Sequence, residues 1–133
     1  LAQALAQQRI ELHYQPVVDL ASGRRLGAEA LARWHDPELG EVSPAEFFAA
    51  ALDAQLADAL HLQLLQQLLR DMPRIQQHSP GLVLAFNVAP RSLCDPRQLE
   101  ALADAVTRHP HWLGLLELEL TESAMAGSEE TLL

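Results

Sequence analysis

Three short segments of this chain place acids or an amide where their neighbours call for an apolar β-strand. In Gly27-Ala28-Glu29-Ala30-Leu31-Ala32-Arg33-Trp34, strand alternation puts Gly27, Glu29, Leu31 and Arg33 on one face and Ala28, Ala30 and Ala32 on the other. A carboxylate and a guanidinium inside such a sheet are costly unless they are paired or bind something. Four residues of strand span roughly 13 Å, too far for an easy direct salt bridge, which favours an external partner over mutual structural pairing. The run Leu115 to Leu120 repeats the pattern, with Glu117 and Glu119 on one face and Glu122 just beyond its end. Carboxylates on the inward face and C-terminal rim of parallel strands lie where α/β barrels and open sheets build their sites. For Glu117 a partly solvated or paired structural acid stays open as the alternative. Asn87 ends the apolar run Leu82 to Phe86 and, taken alone, reads as a turn cap before Val88-Ala89-Pro90. Together with Glu29 and Glu119 it makes two carboxylates and one amide oxygen from three strand ends. Hard oxygen donors of this kind suit Mg²⁺ or Mn²⁺ rather than zinc.

Other chemistries find little support. His13, His35, His61, His78, His109 and His111 are scattered or flank Pro110 and read as surface or packing residues. No Ser/His/Asp spacing, glycine-rich phosphate loop or cysteine pair is present. The single cysteine, Cys94, excludes an internal disulfide and reads as a small, semi-buried residue in a reducing compartment. Nine basic against 18 acidic residues give a formal charge of −9, which repels a DNA or RNA duplex because the basic residues do not cluster. A small anionic ligand stays compatible, since a bound metal ion can reverse the local electrostatics. No stretch has the apolar length of a membrane span, and Leu1 to Arg9 lacks the basic start and apolar run of a signal peptide. The segment is therefore expected to be soluble and cytoplasmic. The absence of Met at position 1 and the stop at Leu133 suggest a piece of a longer protein.

The elements that must position these residues can be read in order. Leu1 to Gln8 suggests a short helix, followed by a strand over Glu11 to Val18 and another over about Arg25 to Trp34. Only Leu20 to Arg24 separates the two strands, and a parallel crossover needs a dozen residues or more, so they should form an antiparallel hairpin. Ser43-Pro44-Ala45-Glu46 carries an N-cap, a proline at the first helical position and an acid in the first turn, which starts a helix. Leu56, Leu60, Leu64, Leu68 and Met72, widened by Leu65 and Leu69, predict a longer helix from about Ala54 to Met72, ended by Pro73. A buried strand is expected over Leu82 to Phe86, a helix from Asp95-Pro96 to about His109, a strand over Leu115 to Leu120 and a helix from Ser123 to Leu133. This alternation calls for one α/β domain with a parallel sheet and outer helices.

In that order, the chain resembles a known family. Tyr14-Gln15-Pro16-Val17-Val18-Asp19, Gly27 to Trp34 with its Glu29-Ala30-Leu31 core, Phe86-Asn87-Val88-Ala89-Pro90 and Glu117 to Ser123 are similar to four successive signatures of EAL-domain phosphodiesterases. Pro37, Gly40, Pro44 and Phe47 also fall at family positions. The resemblance implies that residues 1–133 are the N-terminal half of an EAL domain, an incomplete TIM-like (β/α) barrel with an antiparallel first strand. It implies that Glu29, Asn87 and Glu119 ligate catalytic Mg²⁺ or Mn²⁺, and that Gln15, Leu31 and Arg33 contact cyclic di-GMP. Glu122 would steady a catalytic loop. The implied reaction is metal-assisted hydrolysis of cyclic di-GMP to linear pGpG in bacterial second-messenger signalling.

The family pattern is not met everywhere. Ala89 stands where the family usually has Ser, and Phe47 to Ala54 lacks the usual acidic pair. A closed barrel needs about 250 residues, and the family's downstream Asp pair, Lys and later Glu lie beyond this stretch. The 133 residues alone are expected to be inactive and to self-associate through open sheet edges. A parent protein lacking those downstream groups would instead be a cyclic di-GMP receptor or scaffold, and either kind of parent can be membrane-tethered through other domains.

Overall fold

Asp19 organises the first reversal of the chain. Its carboxylate accepts from the Ala21 N–H at 3.1 Å and the Ser22 hydroxyl at 2.9 Å, and Gly23 takes the positive φ of 68° that the turn requires. In the computed structural model, this turn joins β1 (Ile10–Val18) to β2 (Arg25–Asp36) as the antiparallel hairpin expected from the short connection. The structure describes residues 3, 4, 7, 9–53 and 55–120, with the backbone alone at 52, 53, 91 and 92. The expected helices over Leu1 to Gln8 and Ser123 to Leu133 lie largely or wholly outside the described residues.

After β2 the chain makes a short β3 (Gly40–Val42), helices α1 (Pro44–Asp53) and α2 (Ala57–His78), and strand β4 (Leu84–Val88). A one-turn helix α3 (Pro90–Cys94), helix α4 (Pro96–Thr107), a 3₁₀ turn (Pro110–Leu115) and β5 (Leu116–Leu120) complete the described elements. Strand order is β1-β2-β4-β5, with β3 paired to β2; β2, β4 and β5 run parallel. Among the described residues the sheet is open, with β1 and β5 at its edges, and no helix is long and apolar enough to cross a membrane.

The helix starts follow their local chemistry. Ser43 Oγ accepts from the Glu46 N–H at 3.3 Å, and the Asp95 carboxylate accepts from the Arg97 N–H at 3.0 Å. One face of the sheet, carrying Ala28, Ala30, Ala32, Trp34, Leu84, Phe86 and Val88, packs into a core with Leu60, Leu64, Leu65, Leu68, Leu69 and Met72 of α2. Fully buried Phe47 fixes α1 to β2 by an edge-on contact with Trp34, ring centroids 6.2 Å apart. Burial of one such side chain contributes about 1.5–3 kcal/mol.

Two expected boundaries move. Helix α2 does not stop at Pro73 but runs through it to His78. Pro73 itself lies on the exposed side of the helix, and Ile75 beyond it still packs on the core. Strand β4 begins two residues later than expected, because Gln76 binds the preceding turn, accepting from the Gly81 N–H at 2.9 Å and donating to the Leu82 carbonyl at 2.8 Å. Cys94 is exposed rather than semi-buried.

Candidate active site on the polar face of the sheet

Alternation along β2 divides its side chains as expected: Ala28, Ala30, Ala32 and Trp34 are buried, whereas Gly27, Glu29, Leu31 and Arg33 are half-buried on the opposite face. In-register pairing carries this division across the sheet. Gln15 of β1 lies opposite Glu29, Glu29 opposite Ala85 of β4, and Ala85 opposite Glu117 of β5. One pleat nearer the C-terminal ends of the parallel strands, Asn87 lies opposite Glu119. Of the expected residues, Gln15, Glu29, Asn87 and Glu119 thus come from four adjacent strands onto one face.

Glu29 and Asn87 are in direct contact. The Asn87 Nδ2–H donates to Glu29 Oε1 at 3.0 Å, so two residues 58 positions apart in the chain are held by a charge-assisted bond. The Asn87 amide oxygen is not used in that bond and is directed by it. Glu119 is exposed beside Asn87. Among the described residues no three His, Cys, Asp or Glu side chains converge as a metal site by themselves. Two carboxylates and one amide oxygen on this face fit a hard divalent cation in donor type.

Leu31 and Arg33 continue the same face of β2, pairing with His13 and Glu11. Arg33 forms no ion pair with Glu29 among the described residues; its Nη1–H donates to the Ala32 carbonyl at 2.9 Å. Glu29 and Arg33, four residues apart on the strand, thus each take another partner. Glu122 lies outside the described residues.

Two contributors escaped the reading of the sequence. Gly27 stands where a Cβ would come within 2.9 Å of the Val83 carbonyl oxygen, and the Ala28 N–H donates to that same oxygen at 3.0 Å. The glycine lets the two strands bearing Glu29 and Asn87 close on each other. Tyr14, next to Gln15 but on the helix face, donates its hydroxyl to Asp71 Oδ2 at 2.6 Å. Burial, reinforced by that bond and by the nearby carboxylate charge, pushes the Tyr14 hydroxyl well above the ordinary tyrosine range. This contact locks β1, and with it Gln15, against α2.

A sequence profile of the EAL domain matches residues 1–133. The chain belongs to the EAL domain family. It is 36% identical over 126 residues to the cyclic di-GMP phosphodiesterase PA2567 of Pseudomonas aeruginosa, covering 94% of the chain and 22% of that protein. It is 34% identical over 136 residues to the cyclic di-GMP phosphodiesterase RocR of the same organism, covering 99% of the chain and 35% of RocR. Among solved structures, the PaMucR phosphodiesterase in complex with c-di-GMP superposes with a TM-score of 0.81 at 28% identity, over 98% of this chain and 54% of that one. The chain thus spans about half of that EAL structure and less of the curated relatives. Its open α/β sheet is a portion of the TIM-like EAL fold, and the antiparallel β1 belongs to it.

Proposed function

We propose that this EAL segment contributes the substrate and metal face of a phosphodiesterase that hydrolyses cyclic di-GMP to linear pGpG. The observation that carries the proposal is the Glu29–Asn87 bond at 3.0 Å, with Glu119 in register beside it at the C-terminal ends of parallel strands. In this reading Glu29, Asn87 and Glu119 hold Mg²⁺ or Mn²⁺. Such an ion, when bound, lowers the pKa of water and neutralises phosphate charge. Asn87 orients the Glu29 carboxylate through its N–H while offering its oxygen on the same side. Gln15 and Leu31 border the face on which the dinucleotide lies, and the Arg33 guanidinium gives charge-assisted hydrogen bonds to a phosphate. Glu122 steadies the loop after β5. The remaining groups that turnover needs come from the rest of the parent domain, which is a bacterial signalling protein with its EAL module in the cytoplasm.

The test is product formation by the parent protein. Conversion of cyclic di-GMP to pGpG in Mg²⁺ or Mn²⁺, followed by chromatography, is expected to fall below detection in Glu29→Ala while the fold is kept. Binding of cyclic di-GMP by the unaltered protein with no pGpG in either metal would replace the enzyme reading with that of a receptor.

A further inference from the structure

We infer that Ala85 is a positioning residue of this site, holding open the space in which the Glu29 carboxylate reaches Asn87; the inference rests on the phosphodiesterase reading above. Ala85 is buried, at 8% exposure, yet it takes no part in the core that its neighbours Leu84, Phe86 and Val88 build with the helices. Alternation turns it to the opposite face. There it occupies the third place in the row Gln15, Glu29, Ala85, Glu117, as the one position of the four with neither charge nor hydrogen-bonding side chain.

Its smallness has a geometric consequence. Glu29 is level with Ala85, but its Oε1 bonds Asn87, which lies two residues further along β4 on the same face. The Glu29 side chain therefore leans diagonally across the sheet, past the Ala85 methyl. Adjacent strands are about 4.8 Å apart, so a branched or longer side chain at 85 would rise directly beside the Glu29 side chain and compete for the volume it crosses to reach Asn87. On its other flank Ala85 is level with Glu117, which is exposed. Core packing does not ask for alanine here; clearance does.

The experiment uses the full-length parent protein with Ala85 changed to Ser, Val or Leu, titrated with Mn²⁺ and followed by loss of the free-ion paramagnetic resonance signal. Thermal melts are run in parallel. Val and Leu are expected to weaken Mn²⁺ binding by about ten- to a hundredfold, the range for groups that orient metal ligands, with the melting temperature kept. Ser, which adds one small atom, is expected to bind as the unaltered protein does. Unchanged Mn²⁺ affinity in Ala85→Leu overturns the positioning role alone. Unfolding of the Ser variant, or of both Val and Leu, marks the position as packing and overturns it too. An unaltered protein that neither binds Mn²⁺ nor cleaves cyclic di-GMP overturns the phosphodiesterase reading itself.

Discussion

The Glu29–Asn87 contact makes the amide side chain do what a carboxylate cannot. Replacing Asn87 by Asp keeps an oxygen on the site but removes the N–H and sets a second negative charge about 3 Å from Glu29 Oε1, where like charges repel. We expect Asn87→Asp to melt earlier than the unaltered protein in a chelator, by a change worth about 1–2 kcal/mol, and to regain more stability on adding Mg²⁺, since the ion neutralises the added charge. Melts with and without Mg²⁺ check this; equal Mg²⁺ responses in both proteins would argue against a cation at this contact. Glu29, Asn87 and Glu119 were legible in the sequence because a polar residue on an otherwise apolar strand needs a reason to be there. Ala85 was not, because an alanine in a strand has the same signature whether it faces the core or the site. Nor was the role of Tyr14, whose partner Asp71 is 57 positions away and becomes a neighbour only when α2 crosses the hairpin.

At the level of elements, the site depends on how closely β2 approaches β4 and how β1 is braced. Gly27→Ala puts a Cβ against the Val83 carbonyl, at 2.9 Å from its oxygen. That carbonyl is backbone at the entry to β4, held by the Ala28 N–H, so it cannot give way without the strands parting; a loss of about 1–3 kcal/mol is expected in urea denaturation, with weaker metal binding as Glu29 and Asn87 separate. Tyr14→Phe removes the bond to Asp71 and is expected to cost about 1–2 kcal/mol near neutral pH. Because the folded state raises the Tyr14 pKa, the unaltered protein's advantage is complete below the unfolded value of about 10 and declines as pH rises beyond it toward the folded one. The gap in melting temperature between the two proteins should therefore narrow above about pH 10; a gap that stays constant into strong base would show that folding does not raise the Tyr14 pKa. The hairpin and the alternation of helices with parallel strands were legible because connection length and periodicity are local. The continuation of α2 through Pro73 was not. Packing of Ile75 and the Gln76 contacts to Gly81 and Leu82 outweigh a local helix breaker, and these depend on tertiary structure.

On the scale of the molecule, the helix-covered face of the sheet is, among the described residues, complete over β4 but not over β5. Helices cover Leu84, Phe86 and Val88, but Leu118 and Leu120, on the same side of β5, stay 52% and 50% exposed among the described residues, and β1 and β5 offer unpaired edges. Open edges beside exposed leucines are templates for another chain. The opposing force is charge: at −9, copies of residues 1–133 repel one another over the screening length of the solvent, about 8 Å at physiological ionic strength. Residues 1–133 alone are therefore expected to self-associate, and to do so more strongly as salt is raised, because screening weakens the repulsion and leaves the apolar and edge contacts in place. Light scattering after gel filtration across a salt series reads both parts. A monodisperse monomer at every ionic strength would mean that the exposed strands are blunted in solution, and association that falls with salt would assign it to ion pairs instead. Extension to the length of the PaMucR chain, about half of which is matched by these residues, should remove the association by supplying the elements that cover β5 and pair the edges.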